Sequence, residues 1–545
     1  MRAFFPTRLR PGLAVLLSPA LWAALALIAP VAMLVVTAVS APSPIFTHLA
    51  DTVLGAYVQN SLVLVVGVCL LALLWGLPCA WLVARCDFPG RRFFRWALLL
   101  PLAMPAYLAA FVYTNIFDYA GFVQTAIRRL FGFTSAADYP FFEIRSMGGA
   151  MFVLSLMFAP YVYWIVSLNF ARLPASQVQA ARLLGADEWR IFRRVVLPLA
   201  RPAIAVSCTL VAMETLADFG TVAYFSVWHL TTGIYDVWLA HHDLSAAAKL
   251  SCLMLLFVIT LVMLEKHQRR HLRPAARNAG ILPRKTLTGG KRFFAVFWCA
   301  LVLFLGFGLP ATWLAQAAVH YFADTDWPEF LQMSGHSLIV AGSAAGIAML
   351  LAFVMLAGSR LRPQTHVFVR LASTGYAVPG TVLAIGVLIV TTGLDHTLNG
   401  FTRAYGLGLP GLVFSGTLFA MGYAFLCRFA AVGIGAVESG FNQIPASLDE
   451  SAWLLGKSPR ATARRVWLPL LRNSLLTAAL LVFLESMKEL SAAMLLRPFN
   501  VQTLATYIYE YMSAERFEMA AMPALVMVVA GLPTVLLLMH SMEDR

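Results

Sequence analysis

Long apolar runs alternate with short polar connections along the whole chain. About twelve runs of roughly 20 residues fall near 13–39, 58–84, 94–117, 147–171, 196–218, 249–265, 293–318, 335–357, 366–392, 409–434, 466–489 and 521–540. Each is long enough to cross a hydrocarbon layer as a helix. The pattern predicts an all-α polytopic membrane protein. The first run exceeds the roughly 7–15 apolar residues of a signal core and has no clear A-x-A site after it, so it reads as a retained helix.

Two polar, basic stretches interrupt this pattern, and they are copies of each other. "PASQVQAARLLGADEWRIFRRVVLPLAR" (174–201) and "PASLDESAWLLGKSPRATARRVWLPLLR" (445–472) align without a gap at 14 of 28 positions, offset by 271. Further pairs extend the duplication. Asn60-Ser61-Leu62 pairs with His336-Ser337-Leu338, "LAMPAYLAA" (102–110) with "YAVPGTVLA" (376–384), and "METLADFG" (213–220) with "LESMKELS" (484–491). Each half holds about six spans. An even number returns the chain to its starting side, so the halves are parallel, pseudo-symmetric repeats rather than inverted ones. The expected organisation is a first repeat at 1–265, a basic linker at 266–292 and a second repeat at 293–545.

Composition agrees with the class and charge adds sidedness. Of 545 residues, 60% are hydrophobic and 12% charged, against about a quarter charged in soluble chains. The net charge of +14 raises the question of nucleic acid. Its distribution answers otherwise: segments 40–57, 219–248 and 319–334 have no Lys or Arg, whereas Arg2, Arg8, Arg10, the 85–95 arginines, both copied stretches and the linker lie on the alternate side. That is the positive-inside pattern. It predicts cytoplasmic termini, linker and copied stretches, with no nucleic-acid partner. Seven scattered cysteines without C-x-x-C suggest neither disulfides nor a metal site.

In each stretch a Pro (Pro174, Pro445) suits a helix start and a Gly (Gly185, Gly456) a left-handed helix end. A second short basic helix is expected to run to Leu197-Pro198 or Leu468-Pro469, where a span begins. The result is a helix–turn–helix at the membrane surface, showing small and apolar residues besides charges, with Arg193-Arg194 and Arg464-Arg465 near anionic headgroups. These residues carry a resemblance. The spacing E-A-A, three residues, Gly, nine residues, I-x-L-P resembles the loop signature of permease subunits of bacterial ABC importers of the type I fold. The second copy reads Glu450-Ser451-Ala452, Gly456, Val466, Leu468-Pro469; the first reads Gln179-Ala180-Ala181, Gly185, Val195, Leu197-Pro198. Gln for Glu, Ser for Ala and Val for Ile are the departures. The resemblance implies coupling helices that sit in clefts of a separate ATPase dimer, and an external solute-binding protein that delivers cargo. It implies no cofactor on this chain, with ATP and Mg on the partner. "TGGKR" (288–292) lacks P-loop spacing and its hydroxyl, so the chain is expected not to be an enzyme.

Charged residues inside spans cost about 2.5–3.5 kcal/mol each on insertion scales and usually face a pathway or a partner. Glu214 and Asp218 lie in the fifth run and Glu485 and Glu489 in the eleventh, each pair at i, i+4 on one helical face. Four such oxygen donors suit a hard cation, making them candidate pathway residues and transient metal ligands. Two other readings stand beside that one. In one, Lys488 neutralises the second pair; in the other, the acids fix the bend where each helix leaves the membrane or contact the binding protein. The surrounding text, "METLADFGTVAYF" (213–225), "TTGIYDVW" (231–238) and "LESMKELSAAMLLRPFNVQTLATYIYEY" (484–511), resembles fused two-repeat permeases of ferric iron importers. Relatives for thiamine, phosphonates, sulfate and polyamines share the architecture. The expected role is therefore a multi-pass inner-membrane permease, most like those for ferric iron. The competing class is an ion-coupled secondary transporter using the intramembrane acids. His241-His242-Asp243 reads as a polar turn. Segments 118–146 and 491–520 read as folded caps or docking loops.

Overall fold

The computed structural model describes residues 19–173, 175–269, 284–373 and 375–543. Pro174, the basic N-terminus with Arg2, Arg8 and Arg10, and residues 270–283 of the linker lie outside the described residues.

Ten helices among them are long and apolar enough to span a membrane: α1 (Pro19–Ser40), α2 (Leu54–Arg85), α3 (Met147–Ala171), α4 (Glu188–Ala217), α5 (Leu244–Gln268), α6 (Gly289–His320), α7 (Trp327–Leu361), α8 (Gly380–Ala404), α9 (Leu418–Asn442) and α10 (Pro459–Lys488). Arg91–Ala103 with Ala106–Phe131 makes an eleventh, bent through 91°. A final helix, α11 (Phe517–Glu543), covers the twelfth run. Ten of the apolar runs thus appear as long apolar helices and the run at 94–117 as a bent pair.

The bend has a local cause. A proline ring disfavours helical geometry in the residue before it, and Met104 is extended (φ −100°, ψ 123°) ahead of Pro105 (φ −59°, ψ 140°). Pro379, its repeat-related counterpart, has φ −58° and ψ 146° and starts α8. The likeness between "LAMPAYLAA" and "YAVPGTVLA" is therefore a shared break, and the ninth span begins at Gly380 rather than near 366. The tenth begins at Leu418 rather than 409. Ahead of it, Gly406, Gly408, Gly411 and Gly416 take positive φ, and Asp395 of α8 accepts from the backbone N–H groups of Val413 (2.9 Å), Phe414 (2.9 Å) and Ser415 (2.8 Å).

The chain forms two compact units that do not follow its halves. One comprises 1–44, 237–252 and 327–507; the other comprises 45–236, 253–326 and 508–545. In the latter, α2, α3 and α4 pack together. Small residues permit close approach where lipid supplies no hydrophobic drive between helices: a Cβ on Gly76 would meet the Ala159 carbonyl at 2.7 Å and the Val162 Cβ at 2.8 Å. α6 flanks this triad, with Trp298 stacked on Trp75 at 5.8 Å and the Leu305 carbonyl accepting from the Tyr113 hydroxyl at 2.5 Å. In the former unit α7, α9 and α10 form the matching triad, and α1 lies along α8. A Cβ on Gly386 would meet the Pro30 carbonyl at 2.5 Å, and the Tyr423 hydroxyl donates to the Ala26 carbonyl. Each triad is thus flanked by the helix that opens the other half of the chain.

The repeated serines also find a physical role. The Ser61 hydroxyl accepts from the Leu230 N–H at 3.1 Å, and that of Ser337 from the Leu504 N–H at 2.6 Å. Each thereby satisfies an orphan donor at the start of a short helix, Leu230–Leu239 or Leu504–Ser513.

Candidate functional site

The two copied stretches fold alike. Helix Ala175–Leu183 precedes Gly185 (φ +74°), and helix Ala446–Leu454 precedes Gly456 (φ +73°). In the first, Gly185 N–H bonds to Arg182 O (3.0 Å) and Ala186 N–H to Ala181 O (3.0 Å). In the second, Gly456 N–H bonds to Trp453 O (2.9 Å) and Lys457 N–H to Ala452 O (3.0 Å). This is the Schellman pattern, closed by a residue in the left-handed region. The spacing Ala, three residues, Gly therefore sets the glycine where its left-handed turn carries the N–H of the next residue, Ala186 or Lys457, back to the alanine carbonyl. Asp187 and Ser458 then start the next helix, their side chains accepting from Arg190 N (3.0 Å) and Ala461 N (3.3 Å).

That next helix does not stop at the Leu-Pro pair as expected. It continues into the span through a widened turn, Phe192–Val196 in α4 and Ala463–Trp467 in α10. Pro198 and Pro469 have no N–H and their rings crowd the carbonyl four residues back. The preceding turn relaxes to i→i+5 bonding, with Leu197 N–H on Phe192 O and Leu468 N–H on Ala463 O.

Both turns present bare apolar surface. Leu183 and Leu184 are 89% and 87% exposed, and Leu454 and Leu455 are 89% and 78% exposed. Gln179, Ala180, Glu450 and Ser451 are exposed too, Ala181 is half-buried and Ala452 buried. A Cβ on Gly185 or Gly456 would meet nothing within 4 Å. The two turns are anchored differently. Under the first lie Val178 and Val196, both buried, with Arg182 to Glu188 at 3.1 Å and Lys285 to Glu188 at 3.7 Å at the surface. Under the second, at the positions 271 residues on, lie Asp449 and Trp467. Asp449 accepts from Arg360 Nε at 2.6 Å and from Trp467 Nε1 at 2.7 Å, while Arg360 also donates to the carbonyls of Phe441 (2.9 Å) and Ile444 (2.8 Å). A groove of about 350 Å³ opens beside this anchor, lined by Phe441, Asp449, Glu450 and Trp453 among others. Sequence reading missed all three anchoring residues. The available signal was Asp449, a carboxylate on the inward side of its helix.

The intramembrane acids are engaged locally. Asp218 follows α4 and accepts from Thr221 N (3.0 Å), Val222 N (3.2 Å) and Thr221 Oγ1 (3.1 Å), capping the short helix Gly220–Tyr224. Glu489 follows α10 in the same way. It accepts from Ala492 N at 3.0 Å at the start of Ser491–Leu496 and pairs with Arg428 of α9 at 2.7 Å. Gly380 leaves room for that pair, because a Cβ there would collide with both partners. Glu485 lies 3.7 Å from Lys488, and Glu214 is half-buried in α4. Among the described residues no three His, Cys, Asp or Glu side chains gather as a metal site. Asp243 accepts from Ser43 Oγ (2.7 Å) and Ala246 N (2.9 Å), and His242 has φ +53°; the His-His-Asp triplet is a capped polar turn.

Comparison with known proteins decides what bears these paired turns. The description "binding-protein-dependent transport system inner membrane component" matches residues 72–274 and again 344–541. The chain belongs to that family. Its members are transport subunits rather than enzymes, and the double match places one copied turn in each repeat. This permease is 26% identical over 489 residues to the Fe(3+)-transport system permease protein FbpB 2 of Haemophilus influenzae, covering 88% of either chain. It is 23% identical to the ferric transport system permease protein FbpB of Actinobacillus pleuropneumoniae, over 86% of this chain and 68% of that one. It is 31% identical over 159 residues to the molybdenum transport system permease protein ModB of Escherichia coli, over 28% of this chain and 66% of that one.

Proposed function

We propose that this permease forms the pore of an importer for ferric iron, driven by a separate ATPase dimer and fed by an external solute-binding protein. The repeats are 1–265 and 293–545, joined by 266–292, with both termini and both copied turns in the cytoplasm. ATP and Mg belong to the partner. The observation that carries this reading is the pair of matched turns, each offering two leucines at least 78% exposed on a rigid, glycine-capped corner. Apolar side chains this bare on a polar loop suit a cleft on another protein. Gln179, Ala180, Ala181, Glu450, Ser451 and Ala452 form the helix face behind them, and closure of the ATPases would move these corners. The names of the full-length relatives favour ferric iron over molybdate, sulfate, thiamine, phosphonate or polyamine. Glu214, Asp218, Glu485 and Glu489 remain candidates for the pathway. Asp218 and Glu489 would have to exchange their capping bonds for the cation as it passes.

Reconstituted uptake tests the proposal. Vesicles holding this chain, its ATPase and an iron-loaded binding protein should take up ferric iron only with ATP and regardless of ionophores. Replacing Gly185 and Gly456 together by Leu should abolish ATP-driven uptake while the chain still inserts. Uptake that needs a proton gradient and no ATPase would instead identify a secondary carrier.

A further inference from the structure

Where α2 ends, the chain enters a two-residue strand, β1 (Cys86–Asp87), paired in parallel with β2 (Lys285–Thr286). Leu287 N–H extends the ladder to the Asp87 carbonyl at 3.0 Å. The pairing draws the returning end of the linker to the membrane boundary, between the end of α2 and the start of α6. It also sets Arg284 beside the helix that begins at Arg91.

A cleft of about 550 Å³ opens there, lined by Asp87, Gly90, Arg91, Arg92, Arg284 and Thr286 among others. Its charge is unbalanced. Arg91 is already committed, to the Val83 carbonyl at 3.0 Å and to Asp87 at 3.7 Å. Arg92 and Arg284 are exposed, and among the described residues no carboxylate pairs with either. Three guanidinium groups around one carboxylate attract an oxyanion, and the planar guanidinium fork matches phosphate oxygens. The flanks are apolar: Phe93 is 48% exposed beside Arg92, and Phe293 and Phe297 are 74% and 50% exposed at the start of α6. The helix Arg91–Ala97 packs against α6, the helix that carries Phe293 and Phe297. Exposed guanidinium groups and exposed phenyl rings at the end of a span match the anionic headgroup and apolar chains of a phospholipid.

We infer that this cleft binds the phosphate of an anionic phospholipid, held by Arg92 and Arg284, with the acyl chains against Phe93 and Phe293. The linker thereby completes a lipid site that neither half of the chain has without it.

The test is binding to the purified full-length chain in neutral detergent, with phosphatidylglycerol, phosphatidylcholine and inorganic phosphate as separate probes. Phosphatidylglycerol should bind in preference to phosphatidylcholine. Arg92→Gln and Arg284→Gln should each weaken it about fivefold and the double variant about 25-fold, following the usual strength of one basic side chain at an anionic surface. Both side chains are exposed and neither supports the strand pairing, so the melting temperature in phosphatidylcholine micelles should not move. Arg284→Lys should retain most of the preference, and Arg403→Gln, an exposed arginine elsewhere, should change nothing. Equal binding of the two lipids, or a preference that survives in the double variant, would overturn the inference. Inorganic phosphate that binds as tightly as phosphatidylglycerol would overturn its lipid part and leave a free-phosphate site.

Discussion

Replacing Asp449 by Ala isolates the anchor of the second turn. The change leaves the buried Trp467 indole N–H without its acceptor and takes the carboxylate from Arg360. Breaking a buried ion pair on one side costs about 3–5 kcal/mol. The lower end applies, because Arg360 is 19% exposed and keeps its bonds to the Phe441 and Ile444 carbonyls. A loss of about 3 kcal/mol corresponds to roughly a hundredfold in an equilibrium. The anchor holds one short helix, so the loss should appear as local opening of 446–457 rather than global unfolding. Limited trypsin digestion reads it. Cleavage after the exposed Lys457 follows the open population when opening is faster than cutting, and should accelerate about a hundredfold. Cleavage after Arg182 in the first turn, anchored by Val178 and Val196, serves as the internal control and should not change. The first turn also shows that an apolar anchor suffices, so Arg360→Met with Asp449→Val should recover part of the protection, the Trp467 N–H staying without its acceptor. Less than fivefold acceleration in Asp449→Ala, or no recovery in the double variant, would refute the argument that this buried pair holds the turn.

Two further outcomes follow from hydrogen bonds described above or nearby. Ser337→Ala and Ser61→Ala should each cost about 1 kcal/mol, read as faster amide exchange at Leu504 and Leu230 respectively. Asp138 accepts from the backbone N–H groups of Thr134 (2.8 Å) and Ser135 (2.7 Å), which hold its pKa below the usual carboxylate value, bonds to the Ser135 backbone being the leading cause. A depressed folded-state pKa contributes order that is complete above the unfolded value and lost as pH falls through the folded one. Protection of the Thr134 and Ser135 amides, taken relative to their intrinsic exchange rate at each pH, should therefore fall on acidification, and Asp138→Asn should remove that dependence.

Features that depend on nearby residues were legible in the chain. Gly185 and Gly456 stand where a helix end needs positive φ, and the structure places each there with the same pair of capping bonds. The bend in the third run was illegible because hydropathy is blind to direction. The run at 94–117 is apolar on both sides of Pro105, yet the chain turns there. The Leu-Pro pairs look like the boundary between a short helix and a span, but a widened turn accommodates each proline in mid-helix. Arg360, Asp449 and Trp467 were illegible for another reason. Arg360 at a span end looks like any residue obeying the charge rule, and only folding brings it to a carboxylate 89 positions later. Glu489 likewise gave no sign of Arg428, its partner 61 positions earlier.

The exchange of opening helices bears on biosynthesis. When a ribosome has delivered only the first half, α1 is already in the bilayer but α8, the surface it packs on, has not been made. Meanwhile the α2–α3–α4 bundle waits for α6. Early intermediates must therefore hold two unmatched greasy surfaces for the time needed to translate about 120 further residues, at roughly 5–20 residues per second. Expressed as two separate pieces, the halves should recover each other in the membrane, since each carries a helix that the other lacks.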